Sequence, residues 1–458
     1  MYSKRDLEAS DKKFIWHPFT QMQDWEREAP VIIEEGKGCF LKDVDGRWYL
    51  DGVSSMWVNI HGHRKREIDA AIRAQINKIS HSTLLGLSNT PAIQLAERLA
   101  GIIQLSFGQA EEPVPARVFY SDNGSTAVEV GLKMAFQYWK HKGVDTKNSF
   151  LCLNNAYHGD TLGAVSVGGI DIFHKTFSPL LFKTYRAPSP YCYRCELGPD
   201  IEYSECKFAC LDKMEEILKE HHTEIAALII EPLVQAAGGM IVSPPGYLKG
   251  VRDLCLKYDV LLIADEVATG FGRTGRMFAC EHESVVPDII CLSKGLTGGY
   301  LPLAATVASE KVYSAFLGEF RDLKTFFHGH SYTGNPLGCA AGLACLDIFE
   351  KDKVIDRLKP KTDLLSSRLD DISGLPHVGN VRQKGLMAAI ELVRDKGTKE
   401  PYAWEEKIGW QVAYKARAKG LLIRPLGNII VIMPPLRITQ KDLTWMMDQI
   451  RVAVDEVT

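Results

Sequence analysis

The feature that most constrains this chain is an alternation, through its middle part, of short apolar runs rich in β-branched residues with longer segments of helical spacing. "ARVFYS", "SFLCLNN", "AALIIEP", "VLLIADE" and "DIICLS" read as buried strands, each followed by a polar or Gly-containing turn. Between them, "GSTAVEVGLKMAFQYWKHKG" and "PPGYLKGVRDLCLKYD" have helical periodicity and suitable ends. The alternation predicts an α/β fold: a mostly parallel sheet flanked by helices, with ligand groups at the carboxyl ends of the strands. Beyond about residue 340 come a long helical run, "GLMAAIELV", another helix and "LLIRPLGNIIVIMPP", the pattern of a smaller α+β lobe. The N-terminal "PVIIEEGKGCFLKDVDGRWYLDG", with its hairpin-like "DVDGRW", is expected to join that lobe. The expected organisation is residues 1–55 and 341–458 in a small domain, with 56–340 forming a large one.

Within "LLIADEVATGFGRTG", Gly270, Gly272 and Gly275 match G-x-G-x-x-G, the spacing of a dinucleotide fingerprint. That reading needs a helix opening at the last glycine, whereas "RMFACEHESVVPD" follows and is interrupted at Pro287. The glycines therefore read as loop-shaping, with Arg273 near a substrate. Asp265, at the end of the strand, finds a partner in Lys294, 29 residues on in "IICLSKGLTGGY" and also just past a strand. Alone, Lys294 reads as a solvated loop lysine. Together, the two supply what a pyridoxal phosphate (PLP) site requires: an amine for the Schiff base and a carboxylate that keeps the pyridine nitrogen protonated. "FYSDNGSTAVEVGLKMA" runs from a strand through Gly124 and Ser125 into a helix, which serves equally as an N-cap and as a phosphate cradle. "NAYHGDT" places Tyr157 and His158 after another strand, where an aromatic ring can stack on a cofactor.

Over nearly its whole length the chain resembles the class III (fold type I) PLP-dependent aminotransferases. The likeness is carried in order by "SDNGSTAVE", "YHGDT", "IIEPLVQAAGGM", "LLIADEVATGFGRTG", "CLSKGLTGGYLPLA" and "HGHSYTGNPLGCAA". The resemblance implies a large domain and a smaller α+β domain, with Lys294 as the Schiff-base lysine and Asp265 on the pyridine nitrogen. It further implies Tyr157 on the ring and Gly124 with Ser125 on the phosphate. His330 and Ser331 are implied to reach the phosphate of a neighbouring subunit, making a homodimer with sites at its interface.

Within the family, "WHPFTQM", "DGVSSMWVNIHGH" and "IRPLGNIIVIMPP" are similar to the branch that converts 8-amino-7-oxononanoate to 7,8-diaminononanoate in biotin synthesis, by ping-pong transamination. This narrower likeness implies Arg424 on the substrate carboxylate, with Phe19, Met56, Trp57 and Gly329 also beside the substrate. Members that use S-adenosylmethionine as donor have Tyr, Trp and Tyr in place of Phe19, Met56 and Val431. These replacements resemble a branch that uses lysine, and both donors stand. The alternatives are another ω-aminotransferase, of ω-amino acid, ornithine or 4-aminobutyrate type, and a non-catalytic metal-binding protein on the same fold.

The eleven cysteines sit mostly one by one in apolar segments, as reduced core thiols do. Cys192, Cys195, Cys206 and Cys210 differ: C-x2-C-x10-C-x3-C within an insertion at about 188–212 is a spacing for Zn²⁺ or an iron–sulfur cluster, or simply a surface insertion. A net charge of −3 gives no basic excess for nucleic acid or an anionic membrane. The charged "MYSKRDLEASDKKF" lacks the apolar core of a secretory signal, and no apolar run reaches the roughly 18 residues of a membrane span, so the expectation is a cytosolic protein.

Overall fold

Seven strands make the central sheet of the computed structural model, which describes residues 2–108, 114–198, 206 and 208–458. They are β1 (Pro115–Ser121), β2 (Ser149–Leu153), β3 (Thr184–Ala187), β4 (Ile225–Ile230), β5 (Leu261–Asp265), β6 (Ile289–Leu292) and β7 (Ala304–Ser309). Their spatial order is β1-β7-β6-β5-β4-β2-β3. Only β7 runs against its neighbours, so the other strands point the same way and their carboxyl ends share one edge.

Alternate residues serve the two faces, the period of a pleated strand. Leu228, Ile230, Leu262 and Ala264 enter one core, and Ala227, Ile229, Leu261 and Ile263 the other. Helix α1 (Thr90–Phe107) contributes Leu95 and Leu99 to the first core, while α2 (Gly124–His141) fills the second with Ala127, Val128, Leu132 and Ala135. Strands β3 and β7 escaped the sequence reading. "TYRA" is a partly polar edge strand, and "AATVAS" is built largely from small residues that carry no strong periodic signal.

The second lobe combines both ends of the chain. A four-stranded sheet joins Ile33–Lys37, Phe40–Asp43 and Trp48–Asp51 to Leu421–Leu422, which pairs with Trp48–Asp51 in parallel. Another sheet holds Val378–Lys384, Met387–Leu392, Ile429–Ile432 and Pro425–Leu426. Helix α3 (Pro336–Lys351), with most of its residues buried, packs against α1 and against the turn that carries Lys294. Among the described residues no helix is long and apolar enough to cross a membrane.

Candidate active site

The shared strand edge opens on a cavity of about 440 Å³ whose lining includes Trp57, Gly124, Ser125, Tyr157, Asp265 and Lys294. Asp265 closes β5 and is 4% exposed. Lys294 opens a 3-10 turn two residues past β6, with φ of 41°, in the sparsely occupied left-handed region. Its Nζ stands 4.8 Å from the centroid of the Trp57 ring. Burial pushes the lysine pKa down, against the opposing pull of Asp265 and Glu231. Trp57 is delivered by a left-handed turn: Ser54, Ser55, Met56 and Trp57 have φ of 52°, 47°, 68° and 72°. Asp51 secures that turn, accepting hydrogen bonds from Ser55 N and Oγ, each at 2.8 Å.

Asp265 is held from two sides. Its Oδ1 accepts the Val267 N–H at 3.0 Å, and its Oδ2 lies 2.7 Å from Nδ1 of the buried His158. A carboxylate accepts, so the imidazole proton belongs on Nδ1; Nε2 of His158 is buried and finds no hydrogen-bond partner among the described residues. Glu231 accepts the backbone N–H groups of Tyr157 and Ala236, at 3.0 and 2.8 Å, tying the Tyr157 loop to the end of β4. Burial pushes the Glu231 carboxyl up to about 7. The Tyr157 hydroxyl donates to Asp160 at 2.7 Å, and burial with that acceptor raises its pKa.

The start of α2 forms the cavity's polar end. Asn123 caps the helix by accepting the Thr126 N–H at 3.1 Å, which leaves first-turn N–H groups without intrahelical partners. A Cβ at Gly159 would lie 1.9 Å from Ser125 Oγ, and one at Gly124 would lie 2.6 Å from Val267 Cγ1, so only glycine keeps the recess open. Helix N-termini attract anions. A planar heteroaromatic phosphate ester fits this constellation: amine at Lys294, carboxylate at Asp265, aromatic ring at Tyr157, donors at Gly124 and Ser125.

Other candidate residues lie elsewhere. Arg273, expected near a substrate, is 1% exposed and donates to the backbone carbonyls of Pro434, Trp57 and Asn59 at 2.7, 3.2 and 3.0 Å; it is an internal brace. Phe19 and Arg424 line a second cavity of about 360 Å³, where Arg424 donates to the Phe19 carbonyl at 3.2 Å. Met56 is 43% exposed, and Val431 is buried in its strand opposite Ala389. Gly329, His330 and Ser331 belong to a largely exposed segment outside both cavities.

Among the described residues no three Cys, His, Asp or Glu side chains are placed to hold a metal ion. Cys192 and Cys195 flank a turn that Tyr191 and Arg194 fasten to Glu391 of the second lobe, and the thiol of Cys210, in a helix of the large lobe, is pushed up by burial and by the nearby Cys206 and Cys192. His158 and Glu231 are the residues to which the sequence reading gave no role. A charge at the carboxyl end of an all-apolar strand was the available signal for Glu231.

The sequence pattern described as Aminotransferase class-III matches residues 21–454. An adenosylmethionine-8-amino-7-oxononanoate aminotransferase from Geobacter sulfurreducens is 56% identical over 457 residues, covering 100% of this chain and 99% of its own. Among solved structures, an enzyme of the same name from Methanocaldococcus jannaschii superposes with a TM-score of 0.93 at 46% identity, over 99% of this chain and 100% of the other. A PLP-bound amine transaminase from an uncultivated Pseudomonas species gives 0.90 at 37% identity, over 97% and 99%.

Proposed function

This chain belongs to the class-III aminotransferase family, and from that premise we propose that it aminates 8-amino-7-oxononanoate to 7,8-diaminononanoate, a step of biotin synthesis, in the cytoplasm. The fold is the fold type I of PLP-dependent enzymes, and the cofactor is pyridoxal 5′-phosphate. The observation that carries the reading is one cavity joining Lys294, Asp265, Tyr157 and the N-terminus of α2. The substrate rests on the names of full-length relatives.

Bound in this cavity, PLP supplies an electron-accepting ring that stabilises negative charge on the carbon losing its proton. Nζ of Lys294 would take that proton from the donor carbon and hand it to C4′ of the cofactor, and in the half-reaction with the ketone would carry a proton from there to the substrate carbon; a pKa lowered by burial keeps more of the amine free to do so. Asp265 holds a proton on the ring nitrogen, and the Nδ1–H of His158 fixes the carboxylate oxygen opposite. Tyr157 would cover one face of the ring, and Gly124 with Ser125 would bind the phosphate. Arg424, whose pKa is lowered by burial, receives the substrate carboxylate in the second cavity by two parallel hydrogen bonds, with Phe19 alongside. Trp57 and Met56 complete the substrate side, and Gly329, outside both cavities, would reach a substrate across the homodimer with His330 and Ser331.

Exposed Leu85, Leu87, Phe320, Leu323, Phe327 and Tyr332 support a homodimer in which His330 and Ser331 reach the partner's phosphate site. S-Adenosylmethionine is the donor that the relatives' names support. Lysine is the second reading, favoured by Phe19 and Met56 where aromatic Tyr and Trp serve the other donor.

The test supplies 8-amino-7-oxononanoate with either donor and measures diamine formation. Product is expected with one of them, and none with either would remove the assignment. Lys294→Ala is expected to abolish turnover and the visible absorbance of covalently held cofactor; full activity in that variant would refute the lysine's role.

A further inference from the structure

The two cavities are linked by aromatic rings. Tyr157 lines the first, with Lys294, and Phe19 lines the second, with Arg424. Between them stands Phe173, half-buried, its ring edge-on to both: 5.2 Å from the Phe19 centroid at 72° and 6.2 Å from Tyr157 at 83°. Its position is built in. His174 is buried, accepts the Ile170 N–H at 3.2 Å and lies parallel to Tyr157 at 6.5 Å. A Cβ at Gly168 would fall 2.3 Å from the His174 ring, so the turn that presents Phe173 needs glycine there.

We propose that Phe173 is a specificity-determining residue: its ring forms the apolar wall along which the methylene chain of the keto substrate runs between Lys294 and Arg424. The inference rests on the reading of Arg424 as the carboxylate anchor. A substrate with its ketone at Lys294 and its carboxylate at Arg424 must cross the span between the cavities, and an apolar edge there removes methylene surface from water. Short substrates never reach this wall. Phe173 therefore selects chain length and leaves the chemistry at Lys294 untouched.

The test uses the PLP-loaded enzyme and its Phe173→Ala and Phe173→Leu variants. The substrates are 8-amino-7-oxononanoate and 3-amino-2-butanone, which keeps the amino ketone and lacks chain and carboxylate. Phe173→Ala is expected to raise KM for the long substrate about ten-fold with kcat nearly unchanged, and to leave the short one unaffected. Phe173→Leu recovers most of the loss. The visible spectrum of the bound cofactor stays the same in all three proteins, because Tyr157 keeps its bonds to Glu231 and Asp160.

An equal rise in KM for both substrates, a fall in kcat with an altered spectrum, or an unchanged KM for the long substrate overturns the proposal. If the unaltered enzyme does not turn over the oxononanoate, the proposed function fails, and the wall is tested with ω-oxo carboxylates of increasing length. Their KM falls with each added methylene, and Phe173→Ala flattens that trend; parallel trends overturn it.

Discussion

Asp265 and Glu266 are neighbours at the end of β5, yet the alternation of the strand sends their carboxylates to different tasks. Asp265 faces the cavity, while Glu266, fully buried, accepts the Thr269 hydroxyl and the N–H groups of Ala279 and Cys280 at 2.7, 3.0 and 2.9 Å. It is the internal anchor of the glycine loop. Burial lifts its carboxyl from 4.5 to about 7, so the folded protein holds this proton more tightly than the unfolded chain. The stability it contributes is therefore complete below pH 4.5 and is lost as pH rises through about 7, on the order of 3 kcal/mol. Glu266→Gln should remove that dependence. The melting temperature of the unaltered protein relative to the variant should fall from pH 4.5 to 7.5, and a flat difference would refute the shift. Taking the difference cancels the contributions of Glu231 and of buried histidines such as His61, which titrate in both proteins.

The start of α2 shows how an element becomes a binding device. An 18-residue helix presents its first-turn N–H groups to the cavity, with Ser125 Oγ accepting the Asp160 N–H at 3.1 Å across the recess. Gly159, at φ 120°, makes this approach possible, whereas Gly143, at φ 75°, faces open space. Gly159→Ala and Gly143→Ala should thus separate two costs. Both carry a backbone penalty of about 1 kcal/mol, but only Gly159→Ala forces a methyl group against Ser125. The expectation is a PLP dissociation constant raised about ten-fold or more for Gly159→Ala and nearly unchanged for Gly143→Ala. Equal effects in a cofactor titration would show that the recess is not the phosphate site. The glycine of this recess could be read in "YHGDT". Its steric reason could not, because Ser125 lies 34 residues away in sequence.

At the scale of the molecule, one buried carboxylate ties three distant segments together. Glu391, 3% exposed, accepts Tyr191 and Arg194 from the cysteine-bearing insertion and Arg382 from the adjacent strand, the last at 2.7 Å. Arg382 in turn donates to the carbonyls of Gly239 and Met240, on the large lobe. Tyr191 and Arg194 thereby clip the two lobes together. Glu391→Ala leaves the Arg194 and Arg382 charges without their carboxylate partner and should cost about 3–5 kcal/mol, read as a lower melting temperature with faster proteolysis near residues 188–212. Unchanged melting and proteolysis would show that the lobes are held by apolar packing alone.

By itself the sequence determined the alternating strands and helices, the carboxyl-edge location of Asp265 and Lys294, and the capped helix at Gly124. These follow from local periodicity and from side chains close to strand ends, where a few residues suffice to specify geometry. The tertiary structure alone decided that Arg273 braces backbone carbonyls, that His158 holds Asp265, and that Phe173 stands between the cavities. Each of these depends on a contact between segments far apart in the chain, set by how the faces of separate elements pack.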